Sequence, residues 1–409
     1  MKNLLIIGFV WPEPDSTAAG TRMMQLIQFF QKNDWRITFV STAAKTTKSF
    51  PLENIQIQTY AVKLNDSSFD KLLLKIKPDI VLFDRFLTEE QFGWRVKESC
   101  PESVRILDTE DLHFLRKARQ EVFNSDSKIS LKYLVNDITK REIASIYRCD
   151  LSLIISKFEY NLLIDTFKIE RSILFYIPFL SDNLSLFDLQ KYPDYKDRKG
   201  FMAIGNFKHK PNFTAVQYLK NTIWKKILKE LPDAELYIYG AYLPDKVKQL
   251  QNEKEGFIIK GWAKTKEKAF TESRVCLAPL QFGAGLKGKL LEAMLYGTPS
   301  VTTSIGAEGM HDNMEWNGFI ADDPDEFAKK AVELYNNETL WNTTQINGVE
   351  IINHHFSREI FENKFQALLS NIKENLQNHR LQNLTGEILM HHTLQSTKYL
   401  SKWIEEKNK

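Results

Sequence analysis

From residue 283 to 292 the chain reads Gly283-Ala284-Gly285-Leu286-Lys287-Gly288-Lys289-Leu290-Leu291-Glu292. Leu290, Leu291, Met294 and Leu295 recur at helical spacing, and Gly297 with Pro299 closes that helix. The glycines therefore open a helix, whose start carries unpaired N–H groups and partial positive charge. Lys287 and Lys289 add full charges there. The expected ligand is an anion, a phosphate above all; the other reading is a tight turn with close helix–strand packing. Glu292 lies off the apolar face, free to bind hydroxyls or simply to sit in solvent near Lys289.

A second group of chemical residues is Asp108-Thr109-Glu110-Asp111-Leu112-His113. Asp111 is the preferred polar group to face a reacting centre; the alternative is a strand-end turn with an Asp helix cap. The pairs His354-His355 and His391-His392 lack the i, i+4 spacing that puts two metal ligands on one helix face, and read as surface or packing residues.

Strands and helices must alternate to position these groups. Val275–Ala278 and Ser300–Thr303 flank the glycine-rich helix as strands, giving a βαβ unit. Before it, strands are expected at 4–7, 37–40, 55–60, 80–83, 104–107, 151–155 and 173–177, then at 201–204, 235–239 and 256–260, and after it at 318–321. The stretch Ser181–Gly200 is polar and without period. The fold class is therefore α/β, with two parallel sheets, each covered on both faces. Domains are expected at 1–181 and 200–379, joined by a linker at 182–199, with a tail at about 380–409 returning to the first domain.

Composition narrows the function. The chain has 409 residues, 43% hydrophobic and 26% charged, which suits two soluble domains. A net charge of +3 without an Arg-rich motif argues against nucleic acid. Three distant cysteines suggest neither disulfides nor zinc, and a cytoplasmic location is expected. The apolar run Leu4–Ile7 is too short for a signal peptide. A dehydrogenase is disfavoured, because Gly8 stands alone until Gly20 and Ile37–Val40 ends in Ser-Thr, with no acidic residue for a ribose.

The segment 283–294, with Gly297-Thr298-Pro299 and Thr303-Ser-Ile-Gly-Ala-Glu-Gly309, resembles the donor-binding signature of GT-B glycosyltransferases, especially glycosyltransferase family 4. Gly205-Asn206-Phe-Lys208, Gly240, and Gly261-Trp262 are similar to that family's strand-end loops, and Gly20 with Arg22 to its acceptor-side loop. The resemblance implies GT-B architecture: two Rossmann-like domains with parallel sheets facing across a cleft.

It also implies a nucleotide-sugar donor, and a glycan, lipid-linked or small-molecule acceptor. Lys287 and Asp111 would be catalytic. The donor would be held by Gly205, Asn206, Lys208, Gly261, Trp262, Gly283, Ala284, Gly285, Leu286, Lys287 and Glu292, with Glu292 on the ribose and Lys287 on the diphosphate. Gly20, Arg22 and His113 would lie on the acceptor side, and Lys289 would point away. Retention of configuration is implied, with neither metal nor cofactor. The family often has a glutamate eight positions before Glu292, where this chain has Ala284. Two alternatives stay open: a nucleotide-sugar epimerase of the same fold, and a non-catalytic nucleotide-sugar-binding subunit. The tail is expected to pack on the body, with peripheral membrane contact or oligomerisation as its other readings.

Overall fold

The computed structural model describes residues 2–408, the side chains of Thr393 and Leu394 excepted. The first sheet is built from β1 (Lys2–Gly8), β2 (Trp35–Ser41), β3 (Gln58–Ala61), β4 (Ile80–Asp84), β5 (Val104–Asp108), β6 (Leu151–Ile154) and β7 (Leu174–Tyr176). Its strands are all parallel, in the order β3-β2-β1-β4-β5-β6-β7.

The second sheet contains β8 (Phe201–Ile204), β9 (Leu236–Tyr239), β10 (Phe257–Gly261), β11 (Val275–Ala278), β12 (Ser300–Thr302) and β13 (Gly318–Ile320). These too are all parallel, in the order β10-β9-β8-β11-β12-β13. Each expected strand is present, within a few residues at its ends. The central strands β1, β4, β5 and β11 are apolar on both faces because helices cover both faces of each sheet.

Parallel strands need crossovers, so every strand-end loop of a sheet that leads into its helix lies along one edge. In both sheets the strand order reverses next to the first strand, between β1 and β4 and between β8 and β11. Ligands of open α/β sheets bind in the crevice at such points. The two crevices open into one cleft between the domains.

The domain borders differ from the expected ones in two ways. The segment 182–199 is not a free tether. Arg198 is fully buried and donates to Pro193 O, Thr298 Oγ1 and Tyr296 O, which anchors the end of the segment to the second domain. The return to the first domain also begins well before residue 380. Ser181 and Ser357 form a parallel bridge, and the helix Arg358–Glu374 sends Phe365, Leu369 and Ile372 into the core beneath β1, β2 and β4. Phe365 stacks on Phe175 and packs against Phe29. The reason is periodicity: the apolar stripe of residues 358–374 completes a face of the first sheet, which no linear reading of one helix reveals.

The tail itself lies on the same domain. Arg380 donates to both carboxylate oxygens of Asp150 at 2.8 and 2.9 Å, and Glu405 pairs with the buried Arg95. Among the described residues no helix is long and apolar enough to cross a membrane.

Because Phe365 belongs to the first domain's core, Phe365→Ala should destabilise that domain by about 3–5 kcal/mol. Denaturant unfolding followed by a probe in residues 2–176 checks this. An effect confined to the second domain would contradict the packing.

Candidate active site

The cleft holds a cavity of about 640 Å³. One wall is made by residues that follow β1, β4 and β5, and the other by residues that follow β8, β9, β10 and β11. Side chains from both domains therefore meet at the carboxyl ends of two parallel sheets.

On the second-domain wall, Gly285 has φ 64, and a Cβ there would lie 2.8 Å from the Asp111 Cβ. Only glycine combines that left-handed backbone with so close an approach to the opposite domain. Lys287 is almost fully buried and its Nζ donates to Gly285 O at 2.5 Å and Ala284 O at 3.3 Å. Burial drives its pKa down to about 8, against the pull of Glu308. Lys289 does not point away from the site. It lines the cavity, donates to Asn212 Oδ1 at 2.6 Å, and is likewise lowered by burial to about 8. Lys287 is the non-helical residue just before the helix Gly288–Leu295 and Lys289 is its second residue, so both stand at its mouth.

Glu292 accepts from Lys266 Nζ at 2.6 Å, and the same ammonium donates to Pro14 O of the first domain at 2.8 Å. Asn206 Nδ2 reaches Ser16 O at 3.4 Å. Lys208 Nζ sits 3.5 Å from the centre of the Tyr242 ring, whose hydroxyl donates to Glu13. Trp262 is exposed to the cleft with Lys48 Nζ 4.1 Å over its ring. These contacts bring the domains together along the whole length of the cavity.

On the first-domain wall, Asp111 is clamped by Arg116, whose Nη1 donates to both carboxylate oxygens at 2.9 and 2.7 Å. Burial alone would raise its pKa, but Arg116, His113 and Arg85 hold it below the ordinary value, so it stays an anion. Glu110 beside it behaves oppositely: burial and the Asp108 charge push its pKa well up. His113 is fixed by Glu142 Oε1, 3.2 Å from Nδ1. Arg85, Glu110 and Tyr242 line the cavity with φ of 70, 62 and 57. Left-handed backbone at non-glycine residues is strained and collects at functional sites.

Residues 198–337 match the protein-family model described as glycosyl transferases group 1. The whole chain has the fold of solved GT-B enzymes. Sucrose-phosphate synthase from Thermosynechococcus elongatus superposes with a TM-score of 0.67 at 13% identity, covering 91% of this chain and 99% of that one. A TarM variant from S. aureus, in complex with fondaparinux, α-GlcNAc-glycerol and UDP, gives 0.68 at 11% identity, covering 90% and 99%. Anabaena HepE in complex with UDP and glucose gives 0.65 at 15% identity, covering 90% and 100%. No curated protein sequence matches the chain.

In the GT-B cleft the structure gathers Gly20, Asp111, His113, Gly205, Asn206, Lys208, Trp262, residues 283–287 and Glu292 around one cavity. Gly261 is outside that wall; its left-handed φ of 78 ends β10 and turns the chain towards Trp262. Arg22 is not an acceptor-side group. It is 1% exposed, bonded through Nε to Asp108 Oδ1 at 2.9 Å and through Nη1 to Ile177 O at 2.8 Å. Its helix turns residue 22 inward, under the sheet edge. Ala284, where a glutamate is common, packs against the apolar core of the first domain.

Sequence reading missed Glu13, Arg85, Tyr242 and Lys266. Arg85 and Tyr242 had a signal, since Arg85 directly follows β4 and Tyr242 lies three residues past the end of β9; Glu13 and Lys266 are tied to the site by contacts with the opposite domain.

Arg22→Ala would strand the buried Asp108 charge, so it should cost about 3–5 kcal/mol of stability. Thermal or denaturant unfolding reads the loss, while donor binding by the folded fraction should stay unchanged.

Proposed function

We propose that the protein transfers a sugar from a nucleotide-sugar to an acceptor bound by its first domain. The observation that carries this reading is the pairing, within one cavity, of buried lysines on the second domain with two carboxyl groups on the opposite wall, Asp111 held below its ordinary pKa and Glu110 pushed well above it. Lys287 and Lys289 are in place to hold the diphosphate, and Glu292 with Lys266 to hold the ribose. Trp262 and the strand-end residues Gly205 and Gly240 are in place for the base. Because TarM and HepE were each solved with UDP, a UDP-sugar is the first donor to try.

As the glycosidic bond breaks, negative charge grows on the diphosphate and positive charge on the sugar. Lys287 opposes the first, and fixed cations aimed at developing charge accelerate the chemical step. Asp111, held ionised by Arg116, faces the second. Asp111 is locked in its ion pair with Arg116, and burial with the Asp108 charge favours the protonated form of Glu110, so neither serves as the base. The departing diphosphate can itself take the acceptor's proton, on the face it leaves, which retains the anomeric configuration. These protein cations are enough for a reaction without metal or cofactor. The acceptor lies near Glu110, Asp111, His113 and Arg85, and a lipid-linked acceptor would be met at the inner face of a membrane.

A binding screen with UDP-, GDP-, dTDP- and ADP-sugars, followed by NMR of the best donor with candidate acceptors, tests this directly. Transfer supports the proposal. A donor altered without any acceptor would make the protein an epimerase, and binding with neither change would leave a carrier subunit.

Lys287→Ala should slow transfer about a hundred- to a thousandfold, the range for losing one charge-stabilising donor. Lys289→Ala should weaken donor binding about tenfold, as for a lost charged hydrogen bond. Glu292→Gln should act mainly on donor affinity, since the ribose changes little in the reaction. Calorimetric affinities and steady-state rates separate the three. Both lysines are charged below about pH 8 and neutral above it. Donor affinity should therefore fall as pH rises through 8.

A further inference from the structure

The loop from Gly283 to Lys287 belongs to the second domain, yet its peptide groups are gripped from the first. Arg119, on the helix His113–Ser125, donates to Gly283 O at 2.8 Å and pairs with Glu308 through two bonds of 2.8 and 2.7 Å. Glu159, on the helix Lys157–Asp165, accepts the Gly285 N–H at Oε1, 2.7 Å away. The same oxygen accepts Leu112 N–H of its own domain at 3.2 Å. Glu159 is fully buried, and its Oε2 has no partner among the described residues.

One peptide unit is the pivot. The N–H of the Ala284–Gly285 peptide goes to Glu159, and its carbonyl oxygen, Ala284 O, takes the Lys287 ammonium. The Gly285 N–H is therefore already committed and is not a phosphate donor. The seam around it leaves no slack: a Cβ on Gly309 would come within 2.6 Å of Ser156 Oγ, one turn from Glu159.

We propose that Glu159 is a positioning residue, which from the acceptor-side domain fixes the peptide that holds Lys287, so that the phosphate site takes its working shape only when the domains are closed. This rests on the donor-site reading given above. Closure and donor binding then favour each other, since the two share one set of contacts.

The tie carries a proton. Burial first, and the neighbouring Asp111 charge second, raise the Glu159 carboxyl to about 8, against the Gly285 and Leu112 N–H groups and Lys287. The charged groups around it are Asp111 from the loop after β5, Lys287 from the donor loop, and the Arg119–Glu308 pair across the seam. A free carboxyl ionises near 4.3, so between that value and 8 closing the seam takes up a proton. The closed seam is therefore strongest below about pH 4.3, weakens by up to about tenfold per pH unit towards 8, and stays weak above it, where Glu159 is a buried anion facing Asp111.

Lys287 loses charge in the same range, so a rate profile alone would not separate the two. The test uses Glu159→Gln, which keeps a neutral acceptor, and Glu159→Ala, which removes it, with melting curves to confirm folding. Amide hydrogen exchange is measured on a peptide spanning 283–288 from pH 6.5 to 9.5, without nucleotide, and expressed as protection relative to intrinsic exchange. In the wild type, protection should fall at least about tenfold between pH 6.5 and 8 and level off above 8, where open and closed states are both ionised. The Gln variant should keep its protection throughout, and the Ala variant should lack it at every pH. With a UDP-sugar, donor KM should rise about tenfold for Ala, as for a lost buried hydrogen bond, and stay near wild type for Gln.

Wild-type protection and KM in the Ala variant would overturn the proposal, as would the same fall with pH in the Gln variant. If the exchange results come out as expected but no nucleotide-sugar binds the wild type, the donor-site reading fails while the Glu159 tie stands.

Discussion

The chain passes between its two domains twice, and the two passages are bonded to each other. Ser181 N–H donates to Phe356 O and Arg358 N–H to Ser181 O, both at 2.8 Å. Around this bridge Ile155 and Phe179 of the first domain share one apolar cluster with Leu286, Leu290, Met294 and Phe356 of the second. Two strand-end edges can form one site only if something holds them face to face. Here it is this short parallel bridge and the hydrophobic cluster beside it, which Leu286 of the glycine-rich loop joins.

Above that joint the contacts between domains turn polar. Arg119–Glu308, Glu159–Gly285, Asn206–Ser16, Lys266–Pro14 and Tyr242–Glu13 run along the cavity. Apolar burial is strong and non-directional, which suits a joint. Hydrogen bonds and ion pairs are directional and small in net worth, because the same groups bond water when apart. A cleft closed by such contacts can open without great cost, yet has one geometry when shut.

The same division shapes the electrostatics. Buried lysines at 287 and 289 are pushed towards neutrality, and Glu110 and Glu159 towards protonation, while Asp111 is kept charged by Arg116. Burial pushes up both Glu110 and Asp111; at Glu110 the Asp108 charge adds to it, whereas at Asp111 the neighbouring Arg116, His113 and Arg85 outweigh it. That is how a single wall supplies both a fixed negative charge and neutral hydrogen-bonding groups.

The sequence by itself determined the thirteen strands, the α/β class and the place of the glycine-rich loop, because short apolar runs, glycine and proline breaks and helical spacing are local signals. Gly283, Gly285, Lys287 and Glu292 were legible for the same reason: they sit within ten residues on one turn and one helix. Tertiary structure alone decided the rest. Whether Arg22 faces the cleft or the core, whether Lys289 points in or out, and where the chain returns to its first domain all depend on which face of a helix meets which sheet. Glu159 carries no local signal at all, since its partner Gly285 lies 126 residues away on another domain. Contacts between distant segments follow from packing both sheets at once, and spacing along the chain does not encode them.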